Sequence, residues 1–292
     1  MNDFVAFDVE TANPDFASIC QIGIAYFADG TYRQKWEQYV NPQDDFFPLN
    51  VKLHGINESK VENEPTFPQV SAALLERLGD AVVIHHTHFD RTSMKQAFAK
   101  HGLDLPRIKW LDSACVARRT WRDRDGYGLE SLAAWLGISY QPHNAAEDAR
   151  AAGEVFIQAM RKSGLSVADW VVLAAKPITP RSRSGTPSKK TNLEGNPEGP
   201  LYGETAVFTG TFSELKANLE YWAADVGCAV RSSVTKATTL LMLGDQDIRK
   251  LAGKKTSQNE LDADELIENG QRIRKLRETD FRALVEDALG AS

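Results

Sequence analysis

The stretch FDVET, Phe7 to Thr11, ends an apolar run with two carboxylates, Asp8 and Glu10, one residue apart. Side chains alternate faces along a strand, so both acids project from one face and Val9 from the other. Like charges that close raise one another's pKa unless a cation compensates, and hard oxygen ligands suit Mg²⁺ or Mn²⁺. A solvated strand end is the ordinary alternative for a lone D-x-E. Two further stretches bear on the choice. Asp90, in HHTHFDRTSM, falls where the run AVVI gives way to a helical pattern. That is a usual place for a site residue in α/β folds, although a first-turn helix acid would look the same. In HNAAEDARAAGEVF, His143 and Asp148 are separated by four residues. Inside one helix they would diverge by about 140°. Asn144 followed three residues later by Glu147 is a capping-box signal, which starts the helix at Asn144 and leaves His143 in the preceding loop. Asp148 then lies in the first turns, and the imidazole can fold back over the site that Asp148 enters. Taken singly, His143 reads as a surface loop histidine.

The elements that must position these residues follow from the apolar pattern. FVAF, IGIAYF and WEQYV lie close together before Asn41-Pro42 and predict three neighbouring antiparallel strands. SAALLERL reads as a helix, AVVI as a buried strand, residues 90–102 as a helix closing on glycine, and KWLDSACVARRTW as another strand-to-helix step. The last helix of this region runs from about Ala145 to Met160. A meander followed by alternation predicts an α/β domain with a mixed sheet. Downstream, TAVFTGTF is a strand and SELKANLEYWAADVG a helix with Leu215, Leu219, Trp222 and Val226 on its apolar face. CAVRSSVT and TTLLMLG (strands), DADELIENG (helix), IRKL (strand) and TDFRALVEDAL (helix) complete a second, smaller α/β domain. Between the two, Lys176–Pro200 is rich in Pro, Gly, Ser and Thr and carries 5 basic against 2 acidic residues, the only net-positive stretch. It reads as a tether, with contact along nucleic acid as the alternative. The expected organisation is a first domain over 1–170, a flexible basic linker over 171–200 and a second domain over 201–292.

A net charge of −6 on 292 residues argues mildly against broad, nonspecific affinity for nucleic acid. With 42% hydrophobic and 25% charged residues the chain has the composition of a folded globular protein. Cys20, Cys115 and Cys228 are far apart and odd in number, which suits buried thiols in a reducing compartment. No apolar stretch approaches the ~20 residues of a membrane span, and the start MNDFVAF lacks the basic residues of a secretory signal, so a cytoplasmic protein with no membrane partner is expected.

FDVET, HHTHFD and H-x4-D, in this order and context, resemble the three motifs of the DEDDh 3′–5′ exonucleases, in particular the proofreading epsilon subunit of bacterial DNA polymerase III and its relatives. The resemblance covers about residues 1–160 and implies an RNase H-like fold. It implies that Asp8, Glu10, Asp90 and Asp148 hold two Mg²⁺ or Mn²⁺ ions, with Asp8 bridging them, and that His143 is the general base for phosphodiester hydrolysis. It further implies that the His-Gly-Ile-like stretch LHGIN places Leu53, His54 and Ile56, with Thr11 and Phe89, against the terminal nucleotide. Where relatives often have His-Asn before the second-motif Asp, this chain has His85-His86. His85, His86 and His88 as a transition-metal site is a weaker alternative, since no cysteines or carboxylates match them.

Residues 201–292 resemble a BRCT domain. Thr209-Gly210 fits the Ser/Thr-Gly with which such domains often bind phosphate, but Asp262 stands where the partner Lys is expected, with Lys254 and Lys255 as possible substitutes, and Phe281 replaces the Trp common in the last helix. The resemblances together imply a metal-dependent exonuclease acting on a single-stranded 3′ end, DNA favoured, with the second domain targeting it to DNA or to a replication or repair protein. An exoribonuclease of the same superfamily and an adaptor with a vestigial nuclease are the alternatives.

Overall fold

The computed structural model describes residues 3–122, 124, 126–174, 192–196, 199–244, 257–271 and 273–289. The chain divides into two units, Met1–Pro177 and Ile178–Ser292.

The first unit opens with an antiparallel meander of β1 (Phe4–Thr11), β2 (Ile19–Ala28) and β3 (Thr31–Tyr39). Helices α1 (Pro48–His54), α2 (Glu58–Val61) and α3 (Phe67–Leu78) lead to β4 (Val82–His85), α4 (Phe89–Lys100) and β5 (Lys109–Asp112). Four helices follow: α5 (Ser113–Thr120), α6 (Leu129–Leu136), α7 (Ala145–Ser163) and α8 (Val167–Ala174). The five strands form one mixed sheet in the order β3-β2-β1-β4-β5, with β4 parallel to both β1 and β5. Val5, Phe7 and Val9, with Ile22 and Ile24, pack on Leu74, Met94 and Phe98 from α3 and α4. On the opposite face Phe4, Ala6, Ala25 and Phe27 meet Phe156 of α7 and Trp170 of α8. Both faces of the sheet are covered, which is why β1 is apolar throughout until Asp8.

α7 lies unusually close to β2. A Cβ at Gly23 would sit 2.1 Å from the Ala145 carbonyl carbon, and one at Gly153 would sit 2.2 Å from the Phe27 ring. These two glycines set the distance between helix and sheet. The helix starts as the capping signal predicts, with Asn144 Oδ1 accepting the Glu147 N–H, and closes on Gly164 at φ 72°. The Glu147 side chain does not return to the Asn144 backbone; it pairs with Lys35 at 2.7 Å and with Arg150 at 2.9 Å instead.

α7 is not the last helix of the unit. α8 follows it and buries Trp170 to 1% exposure in the core, so ordered structure runs past residue 170. At the other end of the expected linker, Leu193 bridges Val230, and Gly195 and Gly199 lie against the backbone of Gly227 and Val226. The remainder of 171–200 lies outside the described residues.

The second unit contains β6 (Thr205–Thr209), α9 (Lys216–Asp225), β7 (Ala229–Arg231), β8 (Leu240–Leu243), α10 (Gln258–Glu268), β9 (Arg274–Arg277) and α11 (Glu278–Leu289). The element order is the expected one, and the sheet is parallel in the order β7-β6-β8-β9. One packing expectation fails. Leu219 and Val226 are buried, but Leu215 precedes the helix and is 72% exposed. Trp222 is half-buried under the Arg282 guanidinium. Lys254 and Lys255 lie outside the described residues. Cys20 and Cys228 are buried and Cys115 half-buried, all as free thiols. Among the described residues no helix is long and apolar enough to cross a membrane.

Candidate active site

Asp8 and Glu10 stand in register with Gly23 and Gln21 of β2, and residues directly opposite in an antiparallel pair share a face. That face is the one α7 covers. Because Gly23 lets the first turn of α7 lie flat on the sheet, Asp148 reaches the acids of β1: oxygens of Asp8, Glu10 and Asp148 all lie within 4.8 Å of one another. The three are 9%, 8% and 2% exposed. A β-bulge falls at the same place, since Glu10 pairs with Gln21 and Thr11 with Ile19, leaving Cys20 extra. Bulges end regular pairing and re-aim side chains, often beside active sites. Asp148 also gains from the positive end of the helix dipole.

Asp90 arrives from the other side. It is 2% exposed in the first turn of α4, and its Oδ1 accepts the Val9 N–H at 3.3 Å, the peptide between Asp8 and Glu10. The turn into α4 passes through Thr87 at φ 70°, a costly backbone for a β-branched residue. Asp112 holds that turn, accepting the Thr87 N–H at 3.0 Å while capping α5 through the Ala114 N–H at 2.8 Å. Burial pushes the Asp112 carboxyl toward protonation, but His85, Arg118 and His88 outweigh it and hold its pKa below the usual aspartate value. Asp112 is absent from the sequence reading, although an Asp directly before a helix is an N-cap signal.

His143 lies in the loop before α7, as the capping signal requires, at φ 62°. Its Nε2 is 3.7 Å from Glu130 Oε1 on α6. Of the residues expected at the terminal nucleotide, Ile56 is 1% exposed and packs with Ala12, Cys20 and Val61, and Phe89 is 3% exposed, edge-on to Phe16. Both are core residues, Ile56 just beyond the Gly55 that ends α1 and Phe89 at the start of α4. Leu53, His54 and Thr11 are half-buried. The Ile56 N–H donates to His54 Nδ1 at 3.0 Å, so the ring proton is on Nε2, which donates to the Thr11 carbonyl at 3.1 Å. Burial lowers the His54 pKa to about 4.

The three histidines before Asp90 engage different groups, although the His85 and His88 rings meet edge-on at 5.7 Å. His85 Nδ1 bonds the Thr87 carbonyl, and His86 bonds Ser113 Oγ at 2.8 Å and the Tyr127 carbonyl at 2.9 Å. His88 lies 3.9 Å from Asp112. Among the described residues, Asp8, Glu10 and Asp148 are the one group of three or more side chains gathered as metal ligands would be. Three hard oxygen donors, nearly dry and mutually repelling, fit a divalent cation of the Mg²⁺ class. In the second unit, Thr209 Oγ1 and Ser257 Oγ are 2.6 Å apart, and Gly210 has φ 89°. Asp262 accepts from Gln258 at 2.7 Å.

Comparison with known proteins places this site in a family. The family model RNase_T, described as Exonuclease, matches residues 5–156. The 3′-5′ exonuclease DinG of Bacillus subtilis is 32% identical over 164 residues, covering 54% of this chain and 18% of that protein. The PolC-type DNA polymerase III of Caldanaerobacter subterraneus is also 32% identical over 164 residues, covering 55% of this chain and 12% of its own. The chain thus spans less than a fifth of the length of either relative. A crystal structure of a full-length 3′-exonuclease shares the fold, with a TM-score of 0.51 at 18% identity over 56% of this chain and 62% of that one. The match extends over the unit that brings Asp8, Glu10, Asp90 and Asp148 together, and through it the chain belongs to the RNase_T exonuclease family.

Proposed function

We propose that the protein removes nucleotides from the 3′ end of a single-stranded nucleic acid, DNA in preference, by hydrolysing the terminal phosphodiester and releasing 5′-nucleotides. The observation that carries this is the approach of Asp8, Glu10 and Asp148 within 4.8 Å. Asp8, Glu10, Asp148 and the adjacent Asp90 would hold two divalent ions, Mg²⁺ or Mn²⁺. Ions so bound activate water, neutralise charge on the phosphoryl group and stabilise the leaving 3′ oxygen. The four carboxylates belong to one strand end and two helix first turns, which supports a site carried by the sheet and the helices packed on it. His143, on the loop ahead of α7, takes the proton from the attacking water at a ring nitrogen. Leu53 and His54, the latter bonded to the Thr11 carbonyl at 3.1 Å, would contact the last nucleotide.

DNA is favoured because the relatives carry the names of a 3′-5′ exonuclease and a DNA polymerase. For the second unit we propose a BRCT-like targeting role, supported by its element order and parallel sheet. The test is time-resolved degradation of matched 5′-labelled DNA and RNA oligomers with Mg²⁺ or Mn²⁺, with and without EDTA, by wild type and Asp8→Ala. A metal-dependent ladder from the 3′ end, lost in Asp8→Ala, is expected, faster on DNA. Cleavage of neither oligomer by wild type overturns the proposal and moves the function to the second unit.

A further inference from the structure

Gln21 is 1% exposed and stands in register between Glu10 on β1 and Tyr39 on β3. A buried primary amide has an oxygen and two N–H groups to satisfy. Its Oε1 accepts the Ala145 N–H at 3.1 Å and its Nε2 donates to Glu37 Oε1 at 2.6 Å. The same Glu37 oxygen accepts from Asn144 Nδ2 at 3.3 Å, while Asn144 Oδ1 takes the Glu147 N–H at 3.0 Å. The Ala145 N–H is among the first of α7, which no carbonyl within the helix can satisfy. A continuous set of hydrogen bonds therefore runs from the acid-bearing face of the sheet to Asn144 and Ala145. His143 precedes these residues directly, and its left-handed backbone persists only where its surroundings impose it. Asp148 lies one turn further on.

We propose that Gln21, backed by Glu37, is a positioning residue for the reaction: it fixes the start of α7 so that His143 and Asp148 are held against Asp8 and Glu10. The inference rests on the nuclease reading of the site. It explains why an amide is found there. A carboxylate at position 21 would face Glu10 and Glu37, and an apolar side chain would strip the Ala145 N–H of its acceptor and Glu37 of a donor.

The test uses the full chain as wild type, Gln21→Met, Gln21→Glu and the exchange pair Gln21→Glu with Glu37→Gln. The readouts are kcat and KM on a 5′-labelled DNA oligomer well below each melting temperature, amide exchange at Ala145, and Mn²⁺ affinity from the resonance of the free ion. Gln21→Met should lower kcat by about 10–10²-fold with little change in KM, since displacements of about 1 Å cost that much. It should also exchange faster at Ala145 and bind Mn²⁺ more weakly. Gln21→Glu alone should behave likewise, and the exchange pair, which restores an amide–carboxylate contact with the partners reversed, should recover most of kcat. A Gln21→Met protein with a lower melting temperature but unchanged kcat and Mn²⁺ affinity would reduce the residue to a structural one and overturn the inference. If Gln21→Met does not fold, recovery by the exchange pair decides. If wild type cleaves nothing, the nuclease reading fails, and Ala145 exchange with Mn²⁺ affinity still decide whether Gln21 holds α7 at the acids.

Discussion

The acids at Glu278 and Asp264 in the second unit and those at Asp8, Glu10 and Asp148 in the first handle negative charge in opposite ways. Among the described residues of the second unit, Glu278 and Asp264 sit beside their neutralising groups. Glu278 accepts from the Ser213 N–H at 2.7 Å, the Ser213 hydroxyl at 2.6 Å and Arg282 at 2.7 Å, and Asp264 meets Lys275 at 2.6 Å. In the first unit Asp8, Glu10 and Asp148 converge on one another in a nearly dry position. Acids beside cations stabilise a fold, whereas like charges gathered this closely repel one another and favour a cation among them. That contrast separates scaffold from site more sharply than the exposure of either.

The contrast is broken most directly by removing one converging acid. Asp8→Ala or Asp148→Asn should lower kcat by about 10³-fold or more while leaving the melting temperature in EDTA equal or raised, because a repulsion is relieved. A large fall in melting temperature without metal would mean that the acids stabilise the fold themselves. Gly23→Ala comes next: its Cβ meets the Ala145 carbonyl at 2.1 Å, so α7 must lift. Overpacking of this kind costs about 1–3 kcal/mol, and steady-state kinetics should show kcat falling by about 10²-fold as Asp148 withdraws from Asp8. An unchanged kcat would show that the helix can slide without losing the site.

Glu278→Gln sharpens the comparison from the other side. Burial opposes ionisation of Glu278, but the Ser213 hydroxyl, Arg282 and the N–H groups of Ser213 and Glu214 hold its pKa at about 2, below an ordinary 4.5. Its contribution is therefore present above about pH 4.5 and lost as pH falls toward 2. Urea denaturation at pH 7 should show a loss of about 1–3 kcal/mol, vanishing at acid pH, with exonuclease kcat unchanged. The smallest effect belongs to His54. Its folded pKa of about 4 lies below the ordinary 6.5, so its neutral form stabilises the protein above about pH 6.5 and that stability is lost as pH falls toward 4. His54→Gln should cost about 1 kcal/mol at pH 7.5 and less at pH 5.

Much of this was legible in the sequence because the relevant signals are local. Strand alternation put Asp8 and Glu10 on one face, and the Asn144 cap separated His143 from Asp148 correctly. The order of the second unit's elements, and of the first unit's strands with α3, α4, α5 and α7, followed from periodicity and glycine stops, whereas α1, α2, α6 and α8 did not. What escaped depends on contacts between segments far apart in sequence. Nothing in QIGIA says that a helix start over a hundred residues later must rest on Gly23 and bond to Gln21. VADWVVLA is apolar and lies next to a low-complexity stretch, and the expected boundary at 170 falls inside α8 because nothing local carries the helix past it. Ile56 follows α1 and Phe89 opens α4; an apolar side chain at such a place gives no local sign of whether it faces a ligand or the core, and both are buried.

Asp8 and Asp148 lie near opposite ends of the first unit's sequence, on a strand and a helix that meet only when the sheet is complete. During synthesis, β1 and its two acids leave the ribosome long before α7 exists, and pairings of such high sequence separation form late. A nascent or truncated chain ending before residue 148 therefore displays carboxylates without the group they make together. On the proposed reading the hydrolytic centre would become whole only with the fold that confines it, and an unfinished chain would lack it.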